Sequence, residues 1–266
     1  MGAITLAGLI VYPVKSAKGV VLQSATAGPR GLGGDRRWMV VDERRVFLSQ
    51  RTHPRLALAS VAVEGCRLVL GAPGMPRLIL DPPPEGAETV RVQVWDDVCD
   101  AQPAGQAATL WFSALLGLPC SVVYLPDTSR RPVAPRGGAP AAEVGFADAF
   151  PFLLVSEASL ADLNSRLARP VLMDRFRPNL VVSGCEPYAE DSWRRIRIGP
   201  VVLHVVKPCS RCSTTTVDQA TAERGREPLA TLATYRRAGD KVMFGQNLVH
   251  EAGGTLRLAD QVTVLA

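Results

Sequence analysis

"RIRIGPVVLHVVKPCSRCSTTTVD", residues 195–218, changes character twice within two dozen residues. It opens as a β-type run and turns at Gly199-Pro200, a pair that marks a tight hairpin. It then carries a second apolar run into Cys209 and Cys212, three apart, with three consecutive threonines behind them. A hairpin that ends in a thiol pair places those thiols at the rim of a sheet, with Pro208 expected to end the strand. What surrounds that rim decides what the thiols do.

Similar short β runs recur along the whole chain: "TLAGLIVYP", "RWMVVDE", "LASVAVEG", "RLVLG", "TVRVQVW", "SVVYL", "PNLVVSG" and "QVTVLA", separated by Gly, Pro and Asp-rich turns. Helical patterns are few. The spacing therefore predicts antiparallel or mixed, barrel-like sheets in an α+β, mainly β chain: two β-barrel-like domains with a few peripheral helices. Three helices are expected. In "AGQAATLWFSALLGL", Leu110, Trp111, Ala114, Leu115 and Leu118 are read as one face; "SEASLADLNSRL" has Ser156 as N-cap and Leu160, Leu163 and Leu167 inward; "EPLATLATYRR" opens on Pro228. The stretch "DTSRRPVAPRGGAPAA", residues 127–142, crowds Pro, Gly and Arg together and reads as a mobile linker or lid. The chain is divided near it into residues 1–120 and 121–266.

Of 266 residues, 47% are hydrophobic and 21% charged, a well-cored composition. Thirty basic residues against 25 acidic ones leave a net charge of +5, enough to favour a small anionic ligand. No basic helix, zinc-finger spacing or interleaving of aromatic and basic residues points to nucleic acid. No apolar run reaches the roughly 20 residues of a spanning helix, and the N-terminus reads as a first strand, not a signal peptide. Six cysteines without a secretion signal are expected as reduced thiols in the cytoplasm.

Three constellations carry chemistry. Around Cys209 and Cys212, a structural zinc site would need a second ligand pair, and a thioredoxin-like pair would need a helix where "STTTVD" is β-branched. Lys207 and Arg211 would favour a thiolate, as a metal ligand or a nucleophile; two incidental thiols on a basic loop remain the plain alternative. At the other end of the chain, "YPVKSAKG" (12–19), "GLGGDRRWMVVD" (31–42) and "SQRTHPRL" (49–56) offer Lys15, Ser16, Arg36 and Arg51 beside turn-formers, a set able to cradle a phosphate. "GLGG" precedes a strand and is no dinucleotide fingerprint. For Arg36 the competing reading is an ion pair with Asp35 or Asp42. In "DRFRPNLVVSG" (174–184), Arg177 and Asn179 straddle Pro178 and can read a heterocycle's edge, or else form an ordinary turn.

These pieces, in this order, resemble the MOSC family, the molybdenum cofactor sulfurase C-terminal domain preceded by its N-terminal β-barrel companion. The resemblance is nearest to the branch that holds the mitochondrial amidoxime-reducing components and their bacterial relatives. "YPVKS", "DRRWMVVD", "PFLLVSEASLADLNSRL", "FRPNLVVSG", "YAEDSW", "CSRC", "TTVD", "EPLATLATYR" and "FGQNL" carry it over nearly the whole chain. It implies a molybdenum–molybdopterin cofactor between the domains, with Cys212 as protein ligand to the metal. Lys15, Ser16 and Arg36 are then implied at the cofactor phosphate, and Arg177, Asn179 and Ser210 at the pterin. The implied activity is reduction of N-hydroxylated small molecules with electrons from a separate protein of ferredoxin, flavodoxin or cytochrome type. The family also admits a persulfide sulfur carrier or a non-catalytic binder of molybdopterin or pyridoxal phosphate. The chain departs from its relatives at Ala149-Phe150 and at "QATA", residues 219–222.

Overall fold

The computed structural model describes residues 2–136 and 138–265. Its largest sheet has nine strands, and the hairpin of residues 195–211 lies within it. Arg195–Ile198 alternates exposed arginines with buried Ile196 and Ile198, so one face of the strand is committed to a core. Gly199 and Pro200 make the two-residue turn that pairs Ile198 with Val201, as expected. Strand Val201–Arg211 then runs the full length of the sheet against Lys241–His250. Pro208 does not end it: the register slips between Val205 and Lys207 and again between Pro208 and Ser210. A proline lacks the donor that a regular ladder needs and is tolerated where bulges interrupt that ladder.

The sheet continues through Phe152–Ser156, Leu180–Ser183 and Thr5–Val11. Phe152–Ser156 and Leu180–Ser183 are parallel, joined by a crossover containing helix α1 of the second half, Glu157–Ser165, which Ser156 caps through the Ser159 amide at 3.0 Å. At the far edge the ends meet. Leu6 N–H donates to Asp260 (2.9 Å), Val262 N–H donates to Ile4 (2.8 Å), and Thr5 bridges Gln261, which curls the sheet around a core of Leu6, Leu9, Phe152, Leu154, Ile196, Leu203 and Leu248. The sheet thus takes its first strand from the N-terminal segment, and hydrogen bonding crosses the division at residues 120 and 121.

A second, four-stranded sheet is built from Trp38–Val41, Ser121–Tyr124, Asp97–Pro103 and Val90–Val94. Helix Gln106–Leu116 covers one of its faces, and Ala108, Trp111, Phe112 and Leu115 are the residues it buries. That stripe corrects the expected face: Leu110 is 61% exposed and Ala114 also faces out. Positions 108, 111, 112 and 115 follow the i, i+3, i+4, i+7 spacing, and 110 and 114 lie beside it. The third helix, Leu229–Tyr235, buries Leu232 behind Pro228. Residues 127–142, expected as a linker or lid, include a small hairpin in which Pro132–Val133 pairs with Ala142–Glu143. Its anchor is Arg131, buried, donating to the carbonyl of Ala147 at 3.0 Å and to Asp97 at 2.7 Å.

Candidate functional site

Cys212 stands at the end of the long strand and opens a 3-10 turn, Ser213–Thr216. The three threonines have separate tasks there. The Thr214 hydroxyl lies 3.5 Å from the Cys212 sulfur, Thr215 caps the Cys212 carbonyl at 3.0 Å, and Thr216 does the same for Ser213 at 2.8 Å. From the other half of the chain, Arg51 donates its Nε to the sulfur at 3.2 Å. Burial pushes the Cys212 thiol up, but the Arg51 guanidinium and the Thr214 hydroxyl and amide outweigh it, so the thiolate is favoured overall. Cys209, one bulge earlier, is held within the strand and accepts from Arg211 at 2.9 Å.

A continuous run of contacts leads away from the sulfur. Arg51 Nη2 donates to Asp148 at 2.7 Å, and the other oxygen of that carboxylate pairs with Lys15. Lys15 also donates to the Phe146 carbonyl at 2.7 Å, and the Phe146 amide donates to the Arg36 carbonyl at 2.6 Å. Gly145 permits that approach, since a Cβ there would sit 2.6 Å from the Asp35 and Arg36 carbonyl oxygens. Burial lowers the Lys15 pKa to about 8, an effect that Asp148 offsets in part. For Asp148 the crowding acts to raise the pKa, and Lys15 and Arg51 more than reverse it, holding the carboxyl well below its ordinary range.

Arg36 realises its competing reading and more. Its Nη1 meets Asp35 at 2.5 Å and the Asn179 side-chain oxygen at 3.0 Å. Asn179 is 2% exposed, and its amide nitrogen is spent on Ile10 (3.1 Å) and Asp35 (3.2 Å), so its side chain reaches a ligand only through Arg36. Arg177 donates to the Ala17 carbonyl at 2.6 Å and, with Arg36, sandwiches the Tyr12 ring at 4.2 and 4.4 Å. Burial lowers the Arg177 pKa to about 10, and its Nη2 is buried without an acceptor. Ser16 offers its carbonyl to Gln50 at 2.7 Å. Ser210 is exposed on the strand opposite Met243 and stands apart from this run of contacts.

Ser16, Arg36 and Arg177 all have positive φ (69°, 46° and 56°). Each such non-glycine residue costs about 1–3 kcal/mol and persists only where surrounding structure holds it. Among the described residues Arg45, Trp95, Tyr188, Ala222 and Ala259 share it, so surrounding structure holds these three in place and the strain does not set them apart. Sequence reading missed three further parts. Asp148 bridges Lys15 and Arg51 by pairing that only the fold creates. Gln50 and Gln219 exchange reciprocal amide bonds at 3.0 and 2.9 Å, joining the Arg51 loop to the chain just beyond the threonines. Trp95 covers Arg51 at 4.4 Å and donates to Asp148 at 3.2 Å. The "QATA" departure was the available signal for Gln219.

Among the described residues no three His, Cys, Asp or Glu side chains converge as a metal site. A Cys212 thiolate suits a soft metal, beside whatever other ligands that metal carries. The cations Lys15, Arg36 and Arg51 suit an anionic carrier of that metal, and the orphaned Arg177 Nη2 lacks the acceptor that such a carrier offers. The residues present fit a molybdopterin-type cofactor.

A mainly β protein whose two halves converge on a cation-flanked thiol is the class that fold and site define. The chain belongs to the MOSC family: the MOSC N-terminal beta barrel domain matches residues 3–119 and the MOSC domain matches residues 141–263. Mitochondrial amidoxime-reducing component 1 of Homo sapiens is 38% identical to it, covering 98% of this chain and 83% of that protein. Mitochondrial amidoxime reducing component 2 of Homo sapiens is 33% identical, covering 97% and 82%. No helix among the described residues is long and apolar enough to cross a membrane.

Proposed function

We propose that this protein is a molybdenum-cofactor-dependent reductase of N-hydroxylated small molecules that draws electrons from a separate protein. The observation that carries the reading is the Arg51–Cys212 contact: a thiol favoured as thiolate by a guanidinium from the other half of the chain, in a relative of amidoxime-reducing components. The overall reaction turns an amidoxime, two electrons and two protons into an amidine and water. The bound cofactor supplies a two-electron redox metal centre. Cys212 would hold that metal through sulfur, and Arg51, which helps to lower the thiol's pKa, aims it. Lys15, Ser16 and Arg36 would hold the cofactor phosphate and Arg177 would meet the pterin, with Asn179 fixing Arg36 and Ser210 left outside the cradle. The electron donor is of ferredoxin, flavodoxin or cytochrome type, and a reducing, cytoplasmic setting suits the six free thiols.

The test is metal analysis of the purified protein, pterin fluorescence after oxidation, and reduction of benzamidoxime with an artificial one-electron donor. Molybdenum and pterin near one per chain, with turnover, are expected. A protein that carries pyridoxal phosphate or a persulfide in place of molybdenum would overturn the proposal. Arg36→Ala should lower pterin content, since a charge-assisted contact is worth about 1.5–3 kcal/mol.

A further inference from the structure

Strand Thr5–Val11 sends both Leu6 and Leu9 into the core, three positions apart, where strict alternation would turn one of them outward. A bulge between Leu6 and Gly8 absorbs the extra residue, and the two smallest residues of that stretch, Ala7 and Gly8, come to line the opposite face. Helix Glu157–Ser165 lies across from this face but commits Leu163 to a separate core with Phe176 and Phe244. Between strand and helix remains a cavity of about 760 Å³, lined by Ala7, Gly8 and Ile10 from the strand and by Leu160 and Ala161 from the helix. Small-molecule sites occupy roughly 300–1,000 Å³. Val21 and Leu172 belong to the same lining and are 69% and 73% exposed. Large apolar side chains left open singly mean little, but here they open onto one groove.

The charges of the cavity are sorted along its length. Glu157 stands at the Ala7 end, because Ser156 is registered with Val182 and Val182 with Leu6. Lys18 stands at the Tyr12 end, where Arg177 donates to the neighbouring Ala17 carbonyl and closes a turn with Asp174. The Asp174 charge is countered by Arg175 and Arg177. Lys18 gives its backbone amide to Ala59 at 3.0 Å, and its ammonium has no side-chain partner among the described residues. We propose that the cavity binds a medium-chain aliphatic carboxylate, its head on Lys18 and its chain along Ile10, Leu160 and Val21. An acid at one end and an unpaired ammonium at the other orient such a ligand. A chain fits better than a ring, because the lining is aliphatic apart from Tyr12, whose ring is sandwiched by Arg36 and Arg177. From Tyr12 to Ala7 the strand runs about 17 Å, room for such a chain. Of the residues given to the cofactor, Arg177 alone also lines the cavity, so the inference stands apart from the function proposed above.

The test is calorimetric titration of the cofactor-loaded protein with octanoate, hexanoate, octanol and octylammonium. About one octanoate per chain is expected, bound about fivefold tighter than octanol, the effect of one partly exposed ion pair. Hexanoate, two methylenes shorter, should bind about tenfold weaker than octanoate. Lys18→Gln should remove the advantage of octanoate over octanol while leaving octanol unchanged. Ala161→Trp, at an exposed helix position, should fill the cavity and weaken both ligands about tenfold. If that variant melts well below wild type, Leu172→Asn reads the apolar wall in its place, with a smaller loss expected for both ligands. Absence of octanoate binding, tighter binding of octylammonium, indifference to chain length, or octanoate affinity that neither Lys18→Gln nor the wall variant alters would each overturn the proposal.

Discussion

The surroundings of Asn179 and those of Cys212 are both built from arginines beside acids, yet they differ in how far they are finished. Around Asn179, the carboxylate of Asp35, the guanidinium of Arg36 and both ends of the amide satisfy one another out of water. Around Cys212, Asp148 is half exposed, Trp95 is open to solvent, and the sulfur has a donor but no further partner of its own strength. The first region is a joint closed around Asn179, which fixes Arg36 through one nitrogen, Nη1. The second spends charge on keeping a reactive atom available, and that division of labour is open to direct attack.

The largest effect is expected at the open end. Cys212→Ser replaces a soft thiolate with a hydroxyl that stays protonated at neutral pH, so molybdenum retention should fall about 100-fold or more. Cys209→Ser should keep the metal. X-ray absorption that loses a Mo–S bond in the Cys209 variant and not in the Cys212 variant would falsify the assignment.

Next comes the closed joint. Asn179→Ala leaves Asp35, Arg36 and two backbone groups short of partners, and should cost about 3 kcal/mol of stability by denaturant unfolding. A loss below about 1 kcal/mol would mean that the joint is not closed.

Asp148→Asn strips the buried Lys15 of its counter-charge. With one partner half exposed, about 2 kcal/mol is expected, less than for a fully buried pair. The sign with pH is distinctive. Because folding lowers the Asp148 pKa, its contribution is present above the ordinary value of 3.8 and fades as pH falls below it. The gap between wild type and variant should therefore narrow in acid, and a gap independent of pH would contradict the pairing.

The smallest effect belongs to the amide pair between the two regions. Gln219→Leu leaves Gln50 only its bond to the Ser16 carbonyl, at about 1 kcal/mol, and the double Gln50→Leu, Gln219→Leu change should cost less than the sum of the two single changes. Additive losses in that cycle would show that the two amides do not cooperate.

The legibility of these regions from sequence was uneven for physical reasons. Alternation in "RIRI" and the Gly199-Pro200 turn are local signals, and both elements stand where they point. The cap at Ser156 is local as well. Leu110 misled because a helix stripe needs the whole spacing set, and Phe112 completed a different one. Pro208 misled because a bulge removes the objection to proline, and bulges depend on the partner strand. Asp148 carried no signal of its own, since its partners Lys15 and Arg51 are distant in the chain and only the fold brings them to one carboxylate. The strain at Ser16, Arg36 and Arg177 is likewise invisible in residue type, none of the three being glycine or asparagine.

The closing of the large sheet also sets a timetable. Strand Thr5–Val11 is synthesised before its partners: Ser183, hydroxyl partner of Thr5, follows 178 positions later, and Gln261 and Val262 later still. Until those positions are made, this strand has an unpaired edge, exposed to mispairing with other chains. Contacts this remote in sequence belong to slow folding, with loop closure preceding any reward. The Cys212 thiol is thus assembled late, on a sheet completed only when both of its edges have been made.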